Sequence, residues 1–335
     1  MSSIWVTGVG AVGPHGLGLP AGLHAAPAAA SWLVPDGLAL KEGFPPAAMR
    51  WLDASSLWWV NAARQALGQG TFQVETAQVV GLGLGSNPPV AGLMEQVRAL
   101  GFAAMTPALF PYSVGNAPAA QAGILLKLRG AAITLCAKEG AGLAAIVEGC
   151  RAMEAGLFEG CVAGGVDQLD PFLRKVLRSL RRGNGVHAGE GAYAVVLARA
   201  QAPPEPAMAR VAGWASTSVP CAAYGFPEAG SQLDRVVNVL LARTGWSGEE
   251  VDLAALSGDT PALRLAAKQC SASRLPSARS LPFQPILGAC GASWAGAAGL
   301  AAADIAAQRS RRALLVALCT GGAAWGLALE APHAQ

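Results

Sequence analysis

The chain has 335 residues, of which 53% are apolar and 13% are charged, and its net charge is +3 at neutral pH. This length is enough to bury a large core, whereas so small a net charge argues against a nucleic-acid-binding protein. With so few charges to cover the outside, we expect a partner chain to cover much of the surface.

The first predicted element is a strand over residues 4–9, and a GxGxxG pattern extends from Gly8 to Gly13. In a dinucleotide-binding protein a helix would begin at these glycines, and an acidic residue would close the next strand. Pro14 and Gly16 follow instead, and both are poor residues for a helix interior. The pattern therefore favours an opening strand and turn over a nucleotide site.

Hydrophobic periodicity predicts the elements of the first half. Helices are expected over residues 55–67, with Asp53 or Ser55 as the cap, and over 90–100, 117–128 and 140–155. Strands are expected over residues 77–83, 131–137, 160–164 and 193–197. Lys138 and Glu139 lie at the turn from strand to helix. Glu139 is thus nearest a helix N-terminus, where free N–H groups and the helix dipole favour an anion or a nucleophile.

Residues 201–206 (QAPPEP) read as a linker, and the strand and helix pattern restarts beyond it. Strands are expected over 210–215, 251–256, 314–318 and 325–330, and helices over 230–243, 261–269 and 294–307. Ser247 and Glu250 have the spacing of a capping box. Two halves, residues 1–200 and 207–335, therefore have the same order of elements and are expected to form one compact unit.

Composition also bears on compartment and ligands. Seven cysteines are scattered without a Cys-x-x-Cys pair, and four histidines form no ligand pattern with them. Buried, reduced thiols of a cytoplasmic protein are expected, with no metal and no cofactor. No basic segment opens the chain, so a signal peptide is not expected. Residues 281–303 are uncharged, but two prolines and many small residues favour a buried core segment over a membrane span.

Three short motifs carry a family resemblance. They are Ala163-Gly164-Gly165 in a strand, Gly189-Glu190-Gly191-Ala192 before a strand, and the opening run IWVTGVGAVGPHGLG. Each resembles a segment of the β-ketoacyl-acyl carrier protein synthases, the condensing enzymes of fatty-acid and polyketide synthesis. The resemblance implies an α/β thiolase fold, duplicated, with five layers in the order αβαβα.

The residues that perform condensation in that family do not match. Counting from the motifs places Glu139 at the position of the nucleophilic cysteine, and Asp259 and Ala289 at the positions of two histidines. A thiolate that can be acylated and the donors that stabilise the developing oxyanion are both missing. Cys136 should lie within its strand and Cys290 has no base nearby in sequence, so neither is expected to substitute.

This pattern resembles the chain length factor, a look-alike subunit that type II polyketide systems pair with a working ketosynthase. The finer match is to the branch found with aryl-polyene synthases. The resemblance implies a heterodimer with an active ketosynthase, whose acyl tunnel this chain would shape. Two alternatives stay open, a ketosynthase-like decarboxylase that supplies starter units and a stand-alone acyl-binding scaffold. Glu139 is expected to be structural, capping its helix or pairing with Lys138 or Arg129.

Two sets of candidate contact residues follow from the resemblance. In that family the strand before the nucleophile turn pairs across the dimer axis, and the segment leading into it borders the partner's tunnel. The tunnel and interface candidates are Phe110, Tyr112, Val114, Asn116 and Gln121. An acyl carrier protein with its phosphopantetheine arm is acidic, and a basic run offers it a docking site, although the run would equally suit a solvated helix face. The run comprises Arg174, Lys175, Arg178, Arg181 and Arg182.

Overall fold

A computed structural model describes residues 2–20, 32–49, 52–68, 75–83, 85, 87–180, 188–223, 225–226 and 228–332. The strands are β1 (Ser3–Gly13), β2 (Gly16–Leu17), β3 (Ala77–Leu82), β4 (Ala132–Cys136), β5 (Gly160–Asp167), β6 (Gly191–Ala200), β7 (Ala209–Ser218), β8 (Leu253–Leu256), β9 (Arg279–Ser280), β10 (Arg312–Leu318) and β11 (Ala323–Glu330). The helices are α1 (Pro46–Met49), α2 (Ala54–Leu67), α3 (Asn87–Leu100), α4 (Ala117–Leu125), α5 (Ala141–Glu154), α6 (Pro171–Leu180), α7 (Ala229–Thr244), α8 (Pro261–Arg274), α9 (Phe283–Leu287) and α10 (Ser293–Ala306). Short 3-10 turns cover Phe102–Ala104, Pro107–Tyr112, Lys138–Gly140 and Gly248–Glu250.

Ten of the eleven described strands form two sets of five with one topology, and the short β2 pairs only with β1. The first set lies in the order β4-β3-β5-β6-β1 and the second in the order β9-β8-β10-β11-β7. Within each set the first two pairings are parallel and the last two are antiparallel. The sets join where β1 pairs with β7. This internal repeat agrees with the expected order of elements, while the boundary between residues 200 and 207 stays a prediction.

Alternating side chains on the strands sort the helices into layers. In β3, Val79 belongs to the central core and Val80 to an outer core, because successive residues of a strand face opposite sides. Helices α2 and α4 pack on the outer face of the first sheet, and α7 and α8 on the outer face of the second. Helices α5 and α10 lie between the sheets. The layers are therefore helix, sheet, helix, sheet, helix, and the predicted α/β thiolase fold is confirmed.

The GxGxxG run serves packing within this fold. Strand β1 continues to Gly13, so the whole pattern lies in a strand and the helix needed for a dinucleotide site does not follow it. A Cβ on Gly10 would lie 2.0 Å from the carbonyl oxygen of Ala62 in α2. Glycine at this position lets the helix backbone approach the strand closely.

Two local predictions about helix starts are also confirmed. Asp53, and not Ser55, caps α2, because its carboxylate accepts a hydrogen bond from the Ser56 N–H. Ser247 and Glu250 form the expected capping box.

The uncharged segment 281–303 contributes α9 and most of α10, whose side chains are largely buried, as in a core segment. Across the part of the chain that the structure describes, no helix has the length and apolarity needed to span a membrane.

Candidate functional site

The turn between β4 and α5 has a specific backbone conformation. After β4 ends at Cys136, Lys138 adopts a left-handed conformation with φ 48°. Such a conformation is uncommon for a residue with a side chain and folds the backbone sharply. It brings Glu139 to the start of the buried helix α5, so the predicted strand, turn and helix are in place.

Close backbone packing holds this turn. A Cβ on Gly291 would lie 2.2 Å from the Lys138 carbonyl oxygen, and a Cβ on Gly83 would lie 2.8 Å from the same atom. The fully buried carboxylate of Asp167 accepts hydrogen bonds from the N–H groups of Gly83 at 2.9 Å and Ala292 at 3.0 Å. The turn, the end of β3 and the start of α10 are thus fixed against one another.

Glu139 is half-buried and bonds to a segment 181 residues away. Its carboxylate accepts a hydrogen bond from the Thr320 N–H at 3.1 Å and from the Thr320 hydroxyl at 3.2 Å. No side chain caps the 3-10 turn or α5, so the expected capping role of Glu139 is wrong. The carboxylate anchors the loop between β10 and β11 because that loop presents two donors to it.

Lys138 strengthens the same attachment. Its ammonium group donates to the carbonyl oxygen of Thr320 at 3.1 Å and to that of Ala223 at 2.5 Å. Lys138 and Glu139 therefore hold both the N–H and the C=O of Thr320. We call this group of three residues the Thr320 clasp.

The positions expected for two histidines carry different interactions. The Asp259 carboxylate accepts a hydrogen bond from the Gln284 side-chain amide at 2.6 Å. Ala289 is buried, and its carbonyl oxygen accepts from the Gly189 N–H at 3.2 Å. Gln284 and Thr320 could not be predicted as partners from the sequence, because they lie 25 and 181 residues from Asp259 and Glu139, which they contact. Neither Asp259 nor Ala289 supplies an imidazole to an oxyanion.

The cysteines near the turn differ in burial. Cys136 lies in β4 as expected, at the end of the strand, and is exposed. Burial raises the pKa of the Cys290 thiol, and the charge of Asp167 raises it further. Burial raises the pKa of Cys319 as well, with a further increase from Glu139. Thiols with raised pKa values are protonated at neutral pH and weakly nucleophilic.

Many solved structures are similar to this chain, including three that align over nearly its whole length. A β-ketoacyl synthase from Burkholderia phymatum STM815 has a TM-score of 0.83 and 16% identity, covering 99% of this chain and 100% of its own. The ishigamide ketosynthase/chain length factor has a TM-score of 0.81 and 22% identity, covering 98% and 99%. A type II polyketide synthase ketosynthase, bound to the hexaketide and in complex with its acyl-carrier protein, has a TM-score of 0.80 and 17% identity, covering 99% and 100%.

The chain has the fold of the β-ketoacyl synthases. The resemblance predicted from short motifs is therefore confirmed for the fold. A scan against protein-family models finds no match, and a search of the curated proteins finds none either. At these identities the β-ketoacyl synthase fold does not carry its chemistry to this chain, so the site must be judged from its own residues.

The tunnel and interface candidates lie on one partly exposed surface. Phe110 is 59% exposed on the turn Pro107–Tyr112, and Asn116 is exposed directly before α4. Tyr112, Val114 and Gln121 are half-buried. Several exposed apolar side chains lie on neighbouring elements, namely Val90, Met94, Leu100, Phe102 and Ile124. An apolar surface of this kind commonly marks a protein contact.

The basic run is only partly described. Arg174 is half-buried and Lys175 is exposed on α6, beside Phe172, which is 76% exposed. Arg178 belongs to α6, but its side chain lies outside the described residues, as do Arg181 and Arg182 entirely. The function of this run stays a prediction.

The geometry of the clasp predicts the effect of replacing the carboxylate. Glu139→Gln should leave the melting temperature of the protein nearly unchanged, because the amide can accept from the Thr320 N–H and donate to its hydroxyl. Glu139→Ala should cost about 1–3 kcal/mol, because it leaves the Thr320 donors unpaired in a half-buried place. Thermal unfolding of both variants checks this. Equal destabilisation by the two substitutions would show that Thr320 does not depend on this side chain.

Proposed function

We propose that this chain is a ketosynthase-like subunit without condensation activity, equivalent to a chain length factor. It pairs with an active β-ketoacyl-acyl carrier protein synthase in polyketide or polyene synthesis and shapes the acyl tunnel of that partner. The observation that carries the proposal is the Thr320 clasp, because the nucleophile position holds a carboxylate already bonded to Thr320. The similarity in fold to the ishigamide ketosynthase/chain length factor supports it.

The edge of the first sheet supports a partner at β4. This strand lies at one end of the sheet order, and its side chains are exposed or half-buried. Ala131 and Ala137 bond to β3, so by alternation the main-chain groups of residues 132, 134 and 136 point away from it. An outward row of N–H and C=O groups is a template for another strand. The apolar surface around Phe110 extends the same contact region.

Blocking that edge should prevent heterodimer formation. Thr134→Pro removes an outward N–H while leaving the bonds to β3, since proline is tolerated on an edge strand. We expect this variant to lose most of the complex with the ketosynthase partner when complex mass is measured by light scattering. Thr134→Val keeps the N–H and should retain the complex. A full complex with Thr134→Pro would place the interface elsewhere.

Reducing side chains near the tunnel should lengthen the product. Phe110 is mostly exposed in the isolated chain, so Phe110→Ala should cost little stability and should open space beside the partner's acyl chain. Tyr112→Ala and Asn116→Gly test the neighbouring positions. Each additional buried CH₂ contributes about 0.8 kcal/mol, so a longer chain is favoured once room exists. We expect products longer by at least one extension unit in mass spectra.

We propose further that this subunit belongs to the aryl-polyene branch and that an acyl carrier protein docks on it. Arg174 and Lys175 beside the exposed Phe172 form a surface that suits an acidic carrier protein.

The tunnel variants also have an outcome that would contradict the proposal. If Phe110→Ala, Tyr112→Ala and Asn116→Gly all gave unchanged chain lengths in an intact complex, the segment from Phe110 to Asn116 would not form the end of the tunnel.

A further inference from the structure

The repeat in the fold reveals a missing strand segment. In the first half β4 pairs with β3 through five residues, from Ala132 to Cys136. In the second half the equivalent strand β9 pairs with β8 through two, Arg279 and Ser280. The chain then enters α9 after Pro282. The last part of β8 therefore lacks the neighbour that its counterpart β3 has.

The direction of the hydrogen bonds shows which main-chain groups this exposes. The carbonyl oxygens of Asp252 and Ala254 accept from β9 and the residue after it, each at 2.8 Å. On the other side of β8, the Ser257 N–H bonds to Val316 in β10. Alternation along a parallel strand therefore directs the main-chain groups of Leu256 to the same edge as Asp252 and Ala254, beyond the end of β9.

A groove of about 490 Å³ lies at this gap, between α8 and β8. Its lining combines apolar side chains with two cations and two hydroxyls. The lining includes Ala254, Arg264, Ala267, Lys268, Ala272 and Pro276. This volume lies within the range of small-molecule sites, which is roughly 300–1,000 Å³.

The two cations of the groove differ from their neighbours in how they are paired. Arg274 at the end of α8 forms an ion pair with Asp234, and Arg279 in β9 forms one with Asp304. Arg264 and Lys268 lie one helical turn apart, and no carboxylate among the residues that the structure describes pairs with either. Arg264 donates one bond, from Nη1 to the Gly258 carbonyl oxygen at 3.1 Å. An anion placed between them would meet two uncompensated positive charges.

We propose that this groove binds a small amphiphilic anion, an apolar chain bearing one carboxylate or phosphate group. Arg264 and Lys268 bind the charged group, and Ala254, Ala267 and Pro276 contact the apolar chain. The main-chain N–H of Leu256, which faces this edge of β8, offers a further donor. The site shares no residue with the Thr320 clasp, and its function does not depend on the proposed pairing with a ketosynthase.

Photolabelling tests the site in the full chain, alone or in complex with its partner. The probe is octanoate that carries a diazirine on its alkyl chain. We expect mass spectrometry to map the label to residues 254–280 of this chain. Octanoate and octyl phosphate should both compete, and the stronger of the two identifies the charged group. Octanol and inorganic phosphate should compete at least about tenfold less well, because each lacks half of the recognised chemistry.

Variants separate a built site from general adsorption. The double variant Arg264→Gln with Lys268→Gln should weaken labelling about tenfold or more. Lys268→Gln alone should weaken labelling less than the double variant does. Ala272→Trp should block the groove without changing charge. Lys41→Gln with Arg311→Gln removes two exposed cations elsewhere and should have no effect. Labelling outside residues 254–280, equal competition by octanol, or unchanged labelling of the double variant would each overturn the proposal.

Discussion

Incubated with malonyl-acyl carrier protein, the purified chain should release carbon dioxide no faster than the uncatalysed background. Condensation needs an acylated thiolate, and both condensation and decarboxylation need donors to the developing oxyanion. Here Glu139 is bonded to Thr320, and the expected histidine positions hold Asp259 and Ala289. Loss of an entire nucleophile and base assembly costs on the order of 10⁶-fold in kcat in a well-studied hydrolase. Release of radiolabelled carbon dioxide measures this directly.

Restoring the nucleophile alone should not restore activity. Glu139→Cys places a thiol at the start of α5, but no imidazole accompanies it and the Thr320 donors lose their acceptor. The matched control is the complex with the active partner, in which carbon dioxide release should proceed. Turnover by the isolated chain at an enzymatic rate would contradict the proposed function and favour a ketosynthase-like decarboxylase. A stable isolated chain with no activity and no partner would favour the acyl-binding scaffold.

Adding one methyl group at Gly291 should strongly destabilise the protein. The new Cβ of Gly291→Ala would lie 2.2 Å from the Lys138 carbonyl oxygen, which is backbone and cannot rotate away. Gly83 and the buried Asp167 restrain the same region, so the turn has no free direction in which to shift. Overpacking typically costs 1–3 kcal/mol, and against fixed backbone we expect about 3 kcal/mol or more.

The matched control is the same substitution in an open place. A Cβ on Gly92, within α3, meets no atom within 4 Å. Gly92→Ala should therefore stabilise its helix by about 0.5–1 kcal/mol, because alanine loses less backbone entropy than glycine. Melting temperatures of the two variants, measured by circular dichroism, should move in opposite directions. An unchanged melting temperature for Gly291→Ala would show that the turn is not held as tightly as its geometry indicates.

The fold was predictable from the sequence because the patterns that indicate it, apolar periodicity and short motifs, each lie within a short stretch of the chain. Apolar periodicity located the long helices and strands to within a few residues, since the buried layers require apolar faces at fixed spacing. The family motifs added the layer order. Short elements such as β9 and α9 were missed, because two to five residues carry too little periodicity to stand out.

The site was less predictable because its contacts join distant segments. The sequence places Glu139 beside a helix start, which favours a cap. It does not reveal that the carboxylate accepts hydrogen bonds from the Thr320 N–H and hydroxyl and not from the N–H groups of the helix. The Gln284 bond to Asp259 spans 25 residues in the same way. The sequence places Cys136 within a strand but does not reveal that this strand is the edge of the sheet, where the residue is exposed.

The unequal lengths of the two terminal strands bear on how many copies can assemble. A sheet with two long open edges could accept a new chain at either end, and such addition grows into a filament. Here β4 offers five residues at one end, whereas β9 offers two at the other before Pro282 ends the extended run. Strand addition is therefore possible from one side only. Assembly through the sheet should stop after a single pairing, which gives a closed pair and no fibre.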